Sequence, residues 1–238
     1  MEHEHTIDAI RKRLAAQPHQ SYLRDWVYGG IDGTVTIFAI VSGVAGAHLS
    51  SHVILIVGSA SLVADGFAMA AGDYLATRSE KEEFQRTEAV ERRHIATDPE
   101  GEREEVRQIL QARGIPCELI ERLVAAVTAN PELWVRTMLR DEYGFPGSVR
   151  SPSMAALLTL SAFLVCGLIP LIPFLVGLEH EFGASCAVTG SVFVLIGAIK
   201  SKWSIRAWWY SAIETLAIGG AAAAIAFGIG SWLRGLTS

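Results

Sequence analysis

The sequence predicts an all-α polytopic membrane protein with five transmembrane helices and one polar helical insert between spans 2 and 3. Three observations predict this fold class. Half of the 238 residues are hydrophobic, and the mean hydropathy is +0.32. Charged residues are crowded between residues 78 and 150. Elsewhere there are apolar runs with almost no charge, and they reach the length of about 20 residues that a helix needs to cross a bilayer.

Five segments have the length and hydropathy of a spanning helix. They are residues 26–47, 53–75, 154–177, 182–199 and 207–233. In the third segment, Pro170 and Pro173 of GLIPLIP should kink the helix, because proline cannot donate a backbone hydrogen bond.

The spans and the charge pattern divide the chain into four parts. These are an N-terminal segment (1–25), the first two transmembrane helices (26–76), the polar insert (77–151) and the last three transmembrane helices (152–238).

The orientation is predicted from the basic residues, which concentrate on the cytosolic side of membrane proteins. Lysine and arginine precede the first span and follow the second and fourth, whereas residues 48–52 and 178–181 contain neither. We therefore expect a cytosolic N-terminus, a cytosolic insert and an external C-terminus. The N-terminus has no apolar region typical of a signal peptide. The net charge of −5 and the lack of a basic patch argue against nucleic-acid binding.

The insert is predicted to be helical, with breaks at proline and glycine. Helix-forming residues continue beyond the second span, so that helix is expected to run on into the insert and to end at Asp98-Pro99. Three further helices are predicted at residues 100–112, 117–129 and 132–143.

Asp32 is the first candidate for a functional residue within the membrane. A charged side chain at the centre of a bilayer costs about 2.5–3.5 kcal/mol on insertion scales, so it usually faces a pore or a partner helix. Asp32 lies beside Gly29 and Gly33, whose GxxxG spacing would let another helix pack closely. The alternative is a helix-cap or interface aspartate near the lipid headgroups.

The second span carries a stripe of polar and ligand-type side chains. Ser61, Asp65, Met69 and Asp73 recur every four residues, so they lie on one face of the helix. Carboxylates suit Mn(II) and Fe(II), whereas a soft thioether disfavours Mg(II) and Ca(II). The stripe therefore predicts a pathway for a divalent metal. The alternative is that Met69 is lipid-facing filler and that Asp73 marks the cytosolic boundary of the span.

The insert contains a second set of candidate metal ligands. The pattern Glu-x-x-His in ERRH is one by which helical bundles hold iron, and EREE repeats the spacing beyond the Asp98-Pro99 turn. A methionine and a glutamate four residues apart would form a third wall. A solvated charged face is the alternative for all of these residues. The predicted ligands are Glu91, His94, Glu102, Glu105, Met138 and Glu142.

These motifs together resemble the vacuolar iron transporter family, which has bacterial and plant members. The resemblance covers the chain from about residue 24 to its end. It is carried by RDWVYGGIDGTVTIFAIVSGVAGA, ADGFAMAAGDYLATRSEKE, GLIPLIPF and SAIETLAIGGAAAAIAFGIG. It implies a five-span homodimer with a cytosolic helical metal-binding domain between spans 2 and 3. It also implies the exchange of divalent iron or manganese for protons.

The resemblance also assigns individual residues. Asp32 and Met69 match pore positions of the family, and the insert residues match ligand positions of its cytosolic domain. Two positions depart from the family pattern. Ser61 stands where a pore glutamate is frequent, and we hypothesise that Asp65, one turn further along the same face, replaces it. His94 stands where a further glutamate is usual. Imidazole still binds iron or zinc, but its protonation should weaken the site at low pH.

The resulting expectation is a transporter, not an enzyme, that exports Fe(II) or Mn(II) from the cytosol in exchange for protons. Zn(II) and Co(II) are further candidate substrates, and no prosthetic group is expected. The expected partners are divalent metal cations, protons, the lipid bilayer and a second copy of the chain, with no nucleic acid. The expected location is a bacterial plasma membrane, or a vacuolar membrane in a eukaryote. Two alternatives remain: a membrane-anchored di-iron ferroxidase, and a metal-binding sensor or scaffold that transports nothing.

Overall fold

In a computed structural model the described residues are 6–15, 22–147, 149–203 and 207–237, and their regular elements are all helices. The α-helices are α1 (Ile7–Ala15), α2 (Leu23–Gly46), α3 (Ser51–Thr97), α4 (Pro99–Ala112), α5 (Cys117–Thr128), α6 (Pro131–Asp141), α7 (Pro152–Leu168), α8 (Ile172–Val176), α9 (Glu181–Lys200) and α10 (Trp208–Thr237). Short 3₁₀ turns cover Ile169–Leu171 and Ser201–Trp203.

The predicted five spans are confirmed as five helical stretches that are long and apolar enough to cross a membrane. They are Leu23–Gly46, Ser51–Thr97, Pro152–Val176, Glu181–Lys200 and Trp208–Leu236. The predicted N-terminal segment 1–25 is described only in part. It contains α1 and the first turn of α2, so the first spanning helix begins three residues earlier than predicted. The side of the membrane on which each loop lies stays a prediction.

The chain forms two compact units. Residues 1–20 and 76–151 make up one, which we call the insert unit, and residues 21–75 and 152–238 make up the other, the transmembrane unit. Helix α3 contributes to both and continues from Ser51 to Thr97 without a break, as its run of helix-forming residues predicts.

Helix α2 is the centre of the transmembrane unit and packs against α7, α9 and α10. Its contact with α7 depends on glycine, because a Cβ atom on Gly33 would lie 2.5 Å from the carbonyl oxygen of Phe163. A Cβ atom on Gly29 would lie 2.7 Å from the carbonyl oxygen of Thr159. The GxxxG pair therefore brings the two backbones together, as predicted.

A cluster of buried apolar side chains holds these helices together. Its largest members include Ile37 and Phe38 of α2 and Phe163 of α7, and Phe193 of α9 packs edge-to-face on Phe38 with ring centroids 6.5 Å apart. Helix α3 contributes Ile54 and Leu62 to the same cluster. Burial of such side chains is stabilised by dispersion and close packing, since lipid is as apolar as the protein interior.

The third span is interrupted at its prolines, as predicted. Helix α7 ends at Leu168, the 3₁₀ turn holds Pro170, and α8 begins at Ile172. The buried hydroxyl of Ser185 donates a 2.7 Å hydrogen bond to the carbonyl oxygen of Pro170. This bond satisfies a backbone acceptor at the break, so the kink is tolerated inside the membrane.

The insert unit is built from the C-terminal part of α3 with α4, α5 and α6. The side chains of Asp98 and Asn130 cap α4 and α6 by accepting backbone N–H groups at 3.0 Å. Val106, Ile120, Val124, Trp134 and Met138 form its apolar core. Four predicted boundaries were wrong. Helices α4 and α6 each begin one residue earlier than predicted, at Pro99 and Pro131, α5 ends at Thr128 instead of residue 129, and α6 ends at Asp141 instead of residue 143. Glu142 and Tyr143 therefore follow the helix.

Candidate metal centre

The structure groups the predicted site residues into two sets, one in each unit. In the transmembrane unit, Asp32 is exposed on α2 and Asp65 is half-buried on α3. Their carboxylates are close enough to interact electrostatically. Two like charges in apolar helices repel each other, and a divalent cation or a proton would relieve that repulsion.

Met69 and Asp73, the other predicted pathway residues, have contacts within the transmembrane unit. Met69 is partly buried and packs against the apolar core, as a filling residue would. Asp73 accepts a 2.7 Å hydrogen bond from the hydroxyl of buried Thr159 on α7. Asp73 thus has a structural role as a link between α3 and α7, which the sequence pattern did not predict.

In the insert unit, the end of α3 meets the start of α4 at two buried carboxylates. Glu91 is 1% exposed and Glu102 is 5% exposed. His94 lies between them, with Nδ1 3.5 Å from Oε1 of Glu102 and 3.9 Å from Oε1 of Glu91. The Asp98 cap turns the chain between the two helices, so that side chains eight and eleven residues apart converge.

Each buried carboxylate has one oxygen atom that is not hydrogen-bonded. Oε2 of Glu91 and Oε2 of Glu102 are both inaccessible and have no partner among the described residues. An unpaired buried acceptor costs about 1–3 kcal/mol, and more when it is charged. Such atoms call for a counter-charge, and a metal cation bound by both carboxylates would supply one.

The electrostatics of the cluster agree with its geometry. Burial raises the pKa of Glu102 from 4.5 to about 7, and the charges of Glu91 and Glu105 contribute to the same increase. Burial and the same two charges also raise the pKa of Glu142. Acidic side chains from α3, α4 and the segment after α6 therefore share one electrostatic environment.

Tyr143 is a member of this cluster that sequence reasoning missed. Its hydroxyl donates a 3.0 Å hydrogen bond to Oε1 of Glu91, and its ring stacks on Phe145 with centroids 6.3 Å apart. Phe145 in turn packs edge-to-face on Phe84 of α3. A lone tyrosine at the end of a predicted helix carries no signal in the sequence, because only the fold brings it to Glu91.

The remaining predicted ligands differ in their burial. Glu105 and Glu142 are exposed, and Met138 is fully buried in the apolar core of the insert unit. Within the described residues, no three carboxylate, imidazole or thiol groups are already arranged as a metal site. His94 is the one predicted ligand shown within 4.0 Å of both Glu91 and Glu102 in the described part of the chain.

The comparisons with known proteins identify the family. Residues 23–231 match the model of the VIT family. The chain is 30% identical over 237 residues to vacuolar iron transporter 2 of Oryza sativa, covering 95% of this chain and 96% of that protein. It is 32% identical over 209 residues to vacuolar iron transporter 1 of Arabidopsis thaliana, covering 86% and 83%. It is 30% identical over 250 residues to the vacuolar iron transporter of Toxoplasma gondii, covering 97% and 82%. The chain therefore belongs to the VIT family.

Proposed function

We propose that this protein transports Fe(II) or Mn(II) out of the cytosol across a membrane in exchange for protons. One observation carries the proposal: the acids Asp32 and Asp65 lie on two apolar spanning helices and interact electrostatically. Carboxylates are expensive inside a membrane, and those that lie in spanning helices usually line a path for ions. The relatives named as iron transporters support the choice of a metal cation as substrate.

The two sets of ligands have different roles in this proposal. The insert unit gathers the metal through Glu91, His94, Glu102, Glu105, Met138 and Glu142. The transmembrane unit conducts it past Asp32, Asp65, Met69 and Asp73. Deprotonated carboxylates bind the cation, and protons arriving from the far side displace it, because one carboxylate cannot hold a proton and a metal equally well.

A homodimer is part of the same proposal. Asp32 is exposed on the isolated chain, which would place a charge against lipid. Beside the Asp65 stripe, α3 presents exposed small residues at four-residue spacing: Ala60, Ala64, Ala68 and Gly72. Small residues at this spacing allow close helix packing in membranes, so a second copy docked here would shield the acids from lipid.

The test is uptake of Fe(II) and Mn(II) by proteoliposomes under an imposed pH gradient. Wild-type protein should show gradient-dependent uptake, and Asp32→Ala should lose it. Glu214→Gln is the matched control, because Glu214 is an acid at the start of α10 that pairs with Lys200 at 3.1 Å. No uptake of either metal by folded wild-type protein would overturn the proposal.

The direction and sidedness need their own measurement. Cys117 is exposed at the first turn of α5 in the insert unit, and Cys166 is buried. Cys186 of α9 is also exposed, so the test uses a Cys186→Ser variant. A membrane-impermeant maleimide should label Cys117 only from the cytosolic side of intact cells or sealed vesicles. Expression should also lower cytosolic iron, and a rise in cytosolic iron would contradict the proposed direction of export.

A further inference from the structure

We propose that His94 makes the insert unit select among divalent metals, favouring Fe(II), Co(II) and Zn(II) over Mn(II). The inference rests on the proposed metal-binding role of the insert unit and adds the residue that sets its preference. It concerns the metal that is gathered, and it is independent of whether protons drive transport.

The fold brings together carboxylate, phenol and imidazole groups in the insert unit. The two buried carboxylates, Glu91 and Glu102, offer only oxygen atoms, and Tyr143 is already hydrogen-bonded to Glu91. His94 is the single histidine in residues 76–151, and Cys117, the single cysteine there, is at the exposed start of α5. Among the described residues, the His94 imidazole is therefore the nitrogen donor that lies beside the two carboxylates.

Nδ1 of His94 lies close to both buried carboxylates. Nδ1 of His94 is 3.5 Å from Glu102 and 3.9 Å from Glu91, and the His94 side chain is 46% exposed. Both carboxylates keep one buried oxygen atom unpaired among the described residues. The distances from Nδ1 are to the Oε1 atoms, so a cation held between the two carboxylates would lie within reach of the imidazole, which is the more exposed side of the cluster.

Oxygen and nitrogen donors prefer different divalent metals. Oxygen donors alone suit Mg(II), Ca(II) and Mn(II), whereas imidazole suits iron, zinc, copper and nickel. At a given site, affinity increases from Mn(II) through Fe(II) and Co(II) to the later first-row metals. Replacing an oxygen donor by nitrogen strengthens this increase, because nitrogen forms the stronger bond to the later metals. His94 should therefore change the ratio between the affinities for different metals more than it changes the affinity for any one metal.

The experiment measures binding of Mn(II), Co(II) and Zn(II) to the full-length purified protein by calorimetry at fixed pH. Wild-type protein is compared with His94→Glu, which replaces nitrogen by oxygen donors, and with His94→Gln as a second variant. His52→Glu is the matched control, since it makes the same change in the first turn of the same helix. Electron spin-echo spectroscopy of bound Mn(II) reports directly on a nitrogen ligand.

We expect His94→Glu to lower the preference for Co(II) and Zn(II) over Mn(II) by about tenfold. Loss of a hydrogen-bond partner of a metal ligand alone costs about 10–100-fold in affinity, and the later metals lose most when nitrogen is replaced by oxygen. His52→Glu should leave the preference unchanged, and the nitrogen signal should be present in wild type and absent in His94→Glu.

The possible outcomes separate this inference from the proposed function. If Glu102→Gln abolishes binding but His94→Glu leaves the ratios and the nitrogen signal unchanged, the role of His94 is overturned while the metal-binding role of the insert unit stands. If wild-type protein binds none of the three metals, the metal-binding role fails and the inference about His94 fails with it.

Discussion

The phenolic oxygen of Tyr143 lies 3.0 Å from Oε1 of Glu91, so a residue that follows α6 fixes a carboxylate on α3. The hydroxyl occupies one oxygen of Glu91 and leaves Oε2 unpaired within the described chain. Partners of this kind orient metal ligands, and their loss typically costs 10–100-fold in metal affinity.

Tyr143→Phe should therefore weaken Co(II) or Zn(II) binding by about tenfold while leaving the fold intact. The ring would still stack on Phe145, so only the hydroxyl is lost. Calorimetry on the full-length protein measures the effect, and Tyr28→Phe, at an exposed tyrosine of α2, is the control. Equal affinities of Tyr143→Phe and wild type would show that the hydrogen bond does not orient Glu91 for binding.

The raised pKa of Glu102 predicts how the stability of the metal-free protein depends on pH. The unfolded carboxyl titrates near 4.5 and the folded one at about 7, so the folded state holds an extra proton between these values. Stability should therefore be highest below pH 4.5 as far as this group is concerned, and it should fall as the pH rises to about 7. Thermal unfolding at a series of pH values measures this fall, and Glu102→Gln should flatten it.

The same pKa predicts the pH dependence of metal binding. A metal binds the ionised carboxylate, so apparent affinity should rise with pH until about 7 and then level off. Binding at pH 6 should release protons, which calorimetry detects as a dependence of the heat on the ionisation enthalpy of the buffer. Pairs of buffers at one pH provide the measurement. Binding without proton release at pH 6 would contradict the assignment of Glu102 as a ligand.

The position of Asp65, the second acid in the spanning helices, predicts a result for transport. Asp65→Ala should abolish metal uptake into proteoliposomes, because it removes the carboxyl group that interacts electrostatically with Asp32. The double variant Ser61→Glu with Asp65→Ala moves the carboxylate back by one turn on the same helical face and should restore part of the uptake. Retained uptake in Asp65→Ala alone would exclude Asp65 from the pathway.

The close approach of α2 and α7 predicts a stability difference between two glycine variants. Gly33→Ala places a Cβ atom 2.5 Å from the backbone oxygen of Phe163, whereas a Cβ atom on Gly228 has nothing within 4 Å. Overpacking costs about 1–3 kcal/mol, while alanine in an open helical position is favourable by up to about 1 kcal/mol. Thermal unfolding in detergent should show Gly33→Ala destabilised and Gly228→Ala unchanged or stabilised.

Much of the architecture followed from patterns that act over short distances. Apolar runs predict the five spans, the GxxxG pair predicts the contact of α2 with α7, and Asp98-Pro99 predicts the end of α3. These features depend on local composition and backbone chemistry, so the sequence contains their signal. The end of α6 was predicted two residues too late, because the first break residue, Gly144, lies beyond the true end at Asp141.

The parts that could not be predicted depend on residues distant in the chain. Thr159 and Asp73 are 86 residues apart, and Tyr143 and Glu91 are 52 apart. Neither threonine nor tyrosine has a periodicity that marks it as a partner. The i, i+3 spacing correctly aimed Glu91 and His94 at one side of a helix, but only the structure shows which carboxylates are buried and which remain exposed.

The glycine contacts have a mechanical consequence. Gly46 of α2 lies against the backbone at Phe227 of α10, Gly230 of α10 lies against the backbone at Gly43, and Gly197 of α9 lies against the backbone at Ala212. Helices in such contact cannot slide or roll without a backbone collision, because no flexible side chains separate them. We therefore expect α2, α7, α9 and α10 to behave as one rigid frame. The membrane portion of α3 meets this frame through side chains, such as those of Leu171 and Phe163 and the hydrogen bond from Thr159 to Asp73, so we expect α3 to shift more readily than the four frame helices.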